Sequence, residues 1–388
     1  MIRGNPGSFG FVPSTVSGEL VRAFVPPPLP QVRGLYLETF PSLLEEASRA
    51  VGRLDGAAGA LTNLPLFLYS YIRKEAVLSS QIEGTQSSLS DLLLFENEET
   101  PGVPVGDVEE VSSYVSALNY GMERLAAGFP LSLRLIREIH KVLMTQGRGS
   151  RAQPGEFRKS QNWIGGSRPG NAAFVPPPPE RLGECLDALE KFIHFIPATN
   201  PPLPLLVRAG LIHAQFETIH PFLDGNGRVG RLLITFLLCS EGVLSKPILY
   251  LSLYFKKHRK TYYSLLNGVR ESDGWTAWTE FFLQGVAETA TQATGLARRI
   301  DALFAEDRLT IEAFGRSSVS ALAVYRHAQA MPIFSINSAA KAGELSFPTA
   351  SGAVERMVDA GIVKETSGRQ RGRLFVYQQY LQMLNEER

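Results

Sequence analysis

Twelve consecutive residues carry one imidazole, one carboxylate, three glycines, an asparagine and two guanidinium groups. They read His220-Pro221-Phe222-Leu223-Asp224-Gly225-Asn226-Gly227-Arg228-Val229-Gly230-Arg231. Gly225 and Gly227 admit backbone angles closed to other residues and let a ligand approach the main chain. The N–H groups of such a turn, opening into a helix N-terminus, form an anion site. Arg228 and Arg231 stand three apart and share a helix face, from which both lean back toward that anion. Asp224 offers an oxygen ligand to a hard cation such as Mg2+, which travels with phosphates. His220, closing the preceding helix, can take a proton beside the bound group. Together these groups describe phosphate chemistry. A His213/His220/Asp224 metal set is the alternative, and the adjoining arginines disfavour it. His140, His194, His258 and His327 fall in separate elements without ligand spacing and read as structural.

Two helices must hold this turn, and the sequence supplies them at Leu203 to His220 and from the glycine-rich break through Leu238. Upstream, Leu43, Leu44, Ala47, Ala50, Val51 and Leu54 recur at helical spacing, and a second run from Leu64 carries Leu66, Tyr69, Ile72, Ala76 and Ser79. Further helices are expected over Asp107 to Ala127, Ser132 to Met144, Glu180 to Phe195, Arg259 to Arg270 and Trp275 to Ala290. Glycines and prolines break the pattern from Arg151 to Pro179, with a short strand or hairpin around Gln161 to Ile164. The Gly- and Pro-rich first 35 residues read as an extended arm over a folded body. Near the C-terminus, helices at Ser317 to Ala330, Ile336 to Gly343 and Thr349 to Ala360 precede strands at Gly361 to Thr366 and Leu374 to Tyr377. Three helices and a hairpin are the layout of a winged helix-turn-helix. The fold class is mainly α, with a helical core, a small β-hairpin flap and this C-terminal appendage. The expected division is 1–100 (arm and a second helical region), 101–295 (core) and 300–388 (winged helix).

The 388 residues hold 39 Lys and Arg against 38 Asp and Glu, a formal charge of +1. That balance argues against a bulk polyanion binder, whose affinity comes from many Lys/Arg–phosphate contacts. Two cysteines, Cys185 and Cys239, are too few for a disulfide framework and read as core residues of a reducing cytoplasm. The segment from Met1 to Val32 shows no secretory pattern. The most apolar stretch, Leu232 to Cys239, falls far short of the roughly 20 residues of a membrane span. The expectation is a cytoplasmic protein with no membrane partner.

The twelve-residue segment resembles, at every fixed position, the signature of the Fic family, HPFxxGNGRxxR. Glu156-Phe157-Arg158, Trp163-Ile164-Gly165-Gly166 and Ala173-Phe174-Val175-Pro176-Pro177-Pro178 resemble the family's flap and the stretch after it. Tyr262-Tyr263 and Trp275-Thr276-Ala277-Trp278 resemble its later helices, so the resemblance covers roughly residues 35 to 290. It implies transfer of AMP from ATP to a Ser, Thr or Tyr hydroxyl of a protein substrate. His220 would be the base. Asp224 would hold Mg2+ (or Mn2+). Asn226 and the Gly225/Gly227 backbone would hold the α-phosphate, with Gly230 counted among the phosphate-binding residues. Arg228 and Arg231 would grip the β- and γ-phosphates. Trp163, Ile164 and Gly165 would dock the target chain as an added strand, and Tyr263 would lie near the adenine.

Ser79-Ser80-Gln81-Ile82-Glu83-Gly84 resembles the family's inhibitory motif, (S/T)xxxE(G/N). It implies that Glu83 pairs with Arg231 and withholds it from the γ-phosphate, with Ser79 as the motif's first member. Alternatives within the resemblance are removal of AMP, another Fic-type phosphate transfer, or a nucleotide-sensing winged-helix transcription regulator. The implied partners are a protein substrate, the chain itself through self-modification, and a second copy in a homodimer. DNA is the less favoured partner of the winged helix. Lys364, Arg369, Arg371 and Arg373 cluster at its wing, but the region from Arg298 onward holds 12 Lys/Arg and 10 Asp/Glu. Its reading helix also carries Glu355, Arg356 and Asp359, a poor pattern for the major groove.

Overall fold

A computed structural model describes residues 9–30, 34–97, 102–194, 203–368 and 372–386. It opens with a β-hairpin, β1 (Gly10–Val16) and β2 (Glu19–Val25), registered from Gly10 opposite Val25 to Val16 opposite Glu19. Ser17 and Gly18 both take positive φ, 51° and 82°, the tight two-residue turn that matches strand twist. Over residues 10–25 the expected extended arm is therefore folded back on itself. Val16, Val21 and Ala23 form its inner face and pack with Val175, with Trp163 and Ala172 laid against them.

Helices follow: α1 (Pro41–Gly59), α2 (Leu64–Ile82), α3 (Leu89–Glu96), α4 (Val105–Ala126), α5 (Leu133–Leu143) and α6 (Pro179–His194). Next come α7 (Leu205–Ile219), α8 (Asn226–Ser240), α9 (Ser252–Lys257), α10 (Arg259–Ser272) and the long α11 (Trp275–Glu312). The C-terminal part holds α12 (Ser318–Ala330), β3 (Ile333–Ser335), α13 (Ile336–Ala342), α14 (Phe347–Asp359), β4 (Lys364–Glu365), β5 (Leu374–Val376) and α15 (Gln378–Asn385). The protein is mainly α, as its periodicities predict. Helix α11 runs well past the expected Ala290. No described helix is long and apolar enough to cross a membrane.

The chain forms two compact units, one of Met1–Gly52 and Ser113–Ala290, the other of Arg53–Ser112 and Thr291–Arg388. At the heart of the first lies the α7–α8 hairpin. Every residue of α7 from Leu206 to Ile219 is buried. Two glycines let these helices approach their neighbours. A Cβ on Gly230 would come within 2.3 Å of Glu217 Oε1, and one on Gly210 would meet the Phe282 ring at 3.0 Å. Trp278 donates its indole N–H to the Gly210 carbonyl at 2.9 Å.

In the second unit α12, α13 and α14 pack together beside an antiparallel sheet of order β3-β5-β4. Tyr377, in its core, donates to the Asp307 carboxylate and meets the Tyr325 hydroxyl at 3.2 Å. Of the basic residues expected at the wing, Arg369 and Arg371 lie outside the described residues. Arg373 pairs with Glu355 of α14 at 3.7 Å.

Close packing fixes one stability prediction. A Cβ on Gly121 of α4 would lie 2.3 Å from the fully buried Phe236 ring, whereas Gly52 of α1 has open space around it. Urea unfolding should show Gly121→Ala destabilised by about 1–3 kcal/mol through overpacking. Gly52→Ala should gain about 0.5–1 kcal/mol because alanine loses less backbone entropy than glycine on folding.

Candidate active site

Helix α7 stops because Pro221 disfavours helical angles at the residue before it. His220 caps the helix at φ 48°, ψ 62°, a left-handed conformation, while its N–H still donates to the Phe216 carbonyl at 2.9 Å. That conformation costs a non-glycine residue about 1–2 kcal/mol. Two buried guanidinium groups hold it. Arg158, 2% exposed, donates from Nε to the His220 carbonyl at 2.9 Å and from Nη2 to Ile219 O at 3.4 Å. It also donates to Pro177 O at 2.6 Å and Ser160 O at 3.3 Å, and its main-chain N–H donates to Pro221 O at 2.9 Å. Arg270 donates to the Glu217 carbonyl at 3.3 Å and the Thr218 hydroxyl at 3.2 Å, and lies 3.8 Å over the Phe174 ring. Burial draws both guanidinium pKa values down to about 10, so both stay charged near neutral pH. Positive charge at a helix C-terminus also complements the macrodipole.

From His220 the chain turns directly into α8. Gly225 is the N-cap at φ 75°, and a Cβ there would strike Met144 Sδ at 2.8 Å. Asn226 closes the turn: its Oδ1 accepts from Phe222 N–H at 2.8 Å and its Nδ2 donates to Phe222 O at 2.9 Å. The side chain of Asn226 thus shapes the loop. Main-chain N–H groups of Asn226, Gly227 and Arg228, in the first helical turn, have no intrahelical acceptor and face outward along the helix axis. His140 braces the loop from α5. Its Nδ1 accepts from Gly155 N–H at 2.9 Å, which leaves Nε2 to donate to Asp224 O at 3.0 Å. Its ring stacks 3.7 Å from Phe222. Burial, with the Arg228 charge nearby, pulls its pKa down to about 4.

Arg228 and Arg231 are buried on α8 at 3% and 4% exposure. Arg228 Nη2 lies 3.9 Å from Asp224 Oδ1 and 3.6 Å from Met144 Sδ. Asp224 itself is 53% exposed, with Oδ1 accepting from Gly225 N–H at 2.7 Å. Among the described residues no three His, Cys, Asp or Glu side chains gather into a metal cage. A lone exposed carboxylate at a helix N-terminus fits a hard cation that takes its other ligands from phosphate and water. The His213 alternative fails on geometry. Its Nδ1 bonds to Gly230 O at 2.9 Å, so that nitrogen carries the proton, and Nε2 accepts from the Tyr262 hydroxyl at 2.9 Å. Both ring nitrogens are engaged away from Asp224.

The flap lies in the same unit. Ile164 and Phe174 exchange main-chain hydrogen bonds of 2.8 and 3.1 Å, a single bridge where the sequence suggested a hairpin. Gly165 and Gly166 turn the chain at φ 67° and 74°. Trp163 is half-buried against the N-terminal hairpin, and Arg168 pairs with Glu19. Asn162 Nδ2 donates to Phe222 O at 3.0 Å, joining the flap to the α7–α8 turn. Tyr263 on α10 is partly exposed, 5.1 Å from the Tyr262 ring, with the Arg259 guanidinium 5.8 Å away. Ser79 and Glu83 belong to the second unit. Ser79 is fully buried in α2, and Glu83 is the exposed C-cap of that helix, followed by Gly84 at φ 100°. Glu83 N–H and Thr85 N–H both donate to Ser80 O, at 3.0 and 3.3 Å, and Gln81 Nε2 donates to Ser87 O at 2.8 Å, so this turn is well fixed.

Sequence reading missed Arg158, Arg270 and His140 as builders of the site. His213 supports a pH prediction. Burial holds its pKa near 3 in the fold, against 6.5 when exposed. Below 6.5 the unfolded chain therefore binds more protons than the native one. The stability of the neutral imidazole is present above pH 6.5 and is lost as pH falls toward 3. Urea titrations across that window should give a shallower pH slope for His213→Gln than for the unmodified protein.

Residues 42–123 match the Fic/DOC family N-terminal model and residues 130–238 the Fic/DOC family model. The chain is 29% identical over 195 residues to the protein adenylyltransferase Fic of Drosophila virilis, covering 50% of this chain and 36% of that protein. The Drosophila mojavensis protein of the same name is 28% identical over 240 residues, covering 60% and 43%. The chain thus spans well under half the length of these relatives. Among solved structures, a Fic family protein from Desulfovibrio desulfuricans G20 superposes with TM-score 0.58 at 19% identity, covering 89% of this chain and 98% of that one. Residues 134–508 of Fic-1 from C. elegans superpose with TM-score 0.51 at 20% identity, covering 68% and 73%. Residues 42–123 and 130–238 are thus the Fic/DOC part of the chain.

Proposed function

We propose that the α7–α8 turn transfers AMP from ATP to a Ser, Thr or Tyr hydroxyl of a protein, releasing pyrophosphate. One observation carries this reading. His220 sits on a clamped left-handed turn directly before a helix N-terminus whose first two turns bury Arg228 and Arg231. Relatives named protein adenylyltransferase support it. In the reaction His220 takes the hydroxyl proton, and the oxygen forms a bond to the α-phosphorus. The bond from that phosphorus to the bridging oxygen breaks, and pyrophosphate leaves with the electron pair. Gly225, Gly227 and the main chain at Asn226 hold the α-phosphate oxygens. Gly230 lets α8 lie against α7, and Arg228 and Arg231 stabilise the leaving charge. Asp224 would hold Mg2+ (or Mn2+), which supplies charge neutralisation along the phosphates when bound. Trp163, Ile164 and Gly165 dock the target main chain, and Tyr263 borders the adenine.

Glu83 acts as the brake. A bidentate carboxylate on Arg231 withholds it from the γ-phosphate and leaves the α-phosphate misplaced. The support is the Ser79–Gly84 motif and the fixed turn that carries Glu83. The C-terminal helices and sheet we read as a winged helix-turn-helix that contacts protein, since the exposed Arg356 is flanked by Glu355 and Asp359.

Incubation with labelled ATP and Mg2+ tests both parts. Glu83→Gly should raise protein labelling, self-labelling included, on the order of a hundredfold, the scale of a roughly 1 Å misplacement. His220→Ala in the same background should abolish it. Equal labelling of Glu83→Gly and unmodified protein would remove the brake, and labelling that survives His220→Ala would remove the base.

A further inference from the structure

We propose that Arg158 is a positioning residue that welds both ends of the flap to the main chain of His220, so that docked target and base move as one body. This rests on the AMP-transfer reading above. The flap leaves the core at Ser160 and returns at Pro177. The Arg158 guanidinium bonds to the carbonyls of both, at 3.3 and 2.6 Å, and to those of Ile219 and His220, at 3.4 and 2.9 Å. One planar fork therefore ties together three segments separated by up to 60 residues of chain. Beside it, Gln161 Nε2 donates to Pro176 O at 2.9 Å and closes the neck of the flap. Asn162 reaches across to Phe222 O at 3.0 Å and repeats the link two residues beyond His220.

These bonds are made in the interior. Arg158 is 2% exposed, and four carbonyl oxygens receive its donors. A lysine offers a point charge on a flexible stem and lacks the five-donor fork that reaches these four carbonyls at once. The chemistry explains why rigidity matters here. A chain added along the flap brings its hydroxyl to His220 at a separation set by the flap's neck, and misplacement of about 1 Å costs on the order of a hundredfold in rate. ATP, held by the α8 N-terminus and its arginines, does not depend on that neck.

The test uses the full chain carrying Glu83→Gly, with and without Arg158→Lys or Asn162→Ala. Three quantities are measured: the single-turnover rate of self-labelling by ATP, the ATP dissociation constant by calorimetry, and amide hydrogen exchange at Ile164 and Phe174. Arg158→Lys should slow transfer about a hundredfold, leave ATP affinity within about twofold, and speed exchange of both bridge amides. Asn162→Ala should change the same quantities in the same direction by a smaller factor, and it decides the matter if Arg158→Lys does not fold. Unchanged exchange at Ile164 and Phe174, or ATP affinity that falls in proportion to rate, would overturn the proposal. A Glu83→Gly protein that transfers no AMP to itself or to added protein would instead fail the parent reading, while the exchange measurement still tests the weld.

Discussion

The end of a buried helix is a place where carbonyl oxygens lose their partners, and α7 ends deep inside its unit. Two guanidinium groups meet that need. Arg158 and Arg270 take the carbonyls of Glu217, Ile219 and His220 and the hydroxyl of Thr218. Two charges buried this deeply are tolerable only when their donors are satisfied, because desolvation of an unpartnered ion costs several kcal/mol. The carbonyls and the arginines therefore require each other. Their mutual satisfaction holds His220 at its left-handed angles, which turns the chain toward Gly225 and starts α8 where an anion can meet its N–H groups.

Several guanidinium groups are buried in this unit, with the Glu217 carboxylate buried beside Gly230, in a chain whose net charge is +1. Arg158, Arg228, Arg231 and Arg270 are all buried, two serving the turn's backbone and two lying on α8. The imidazoles among them are held neutral. His140 and His213 each give one nitrogen to a carbonyl and the other to a donor, and burial depresses both pKa values. Neutral braces avoid adding like charge beside the arginines. Asp224 stays exposed, where it can share a cation with phosphate.

What the sequence revealed of this site follows from geometry along one turn. The order His220, Asp224, Gly225, Asn226, Arg228, Arg231 is local, so spacing converts directly into placement. The helices α7, α8, α12, α13 and α14 likewise start and stop close to where their apolar periods do. Long-range partners left no such trace. Arg158 and His140 lie 62 and 84 residues from the His220 and Asp224 carbonyls they bind, and although Glu156-Phe157-Arg158 resembles a flap motif, neither position discloses its distant partner. The β1–β2 hairpin was hidden by Pro13 within a strand and by a Ser17-Gly18 turn in a Gly- and Pro-rich stretch. The flap reads as a short strand or hairpin around Gln161 to Ile164, yet it holds the single Ile164–Phe174 bridge, with Gly165 and Gly166 at positive φ directly after it. Asn226 was expected to face the phosphate. Its side chain bonds to Phe222 instead, and its main-chain N–H lies in the first turn of α8.

The central claim is that the bond broken lies between the α- and β-phosphates. Product stoichiometry tests it most directly. Purified protein freed of its Glu83 carboxylate, incubated with ATP and a hydroxyl-bearing protein, should release one pyrophosphate for each AMP found on protein by intact mass. Release of orthophosphate or ADP in step with protein modification would contradict the account.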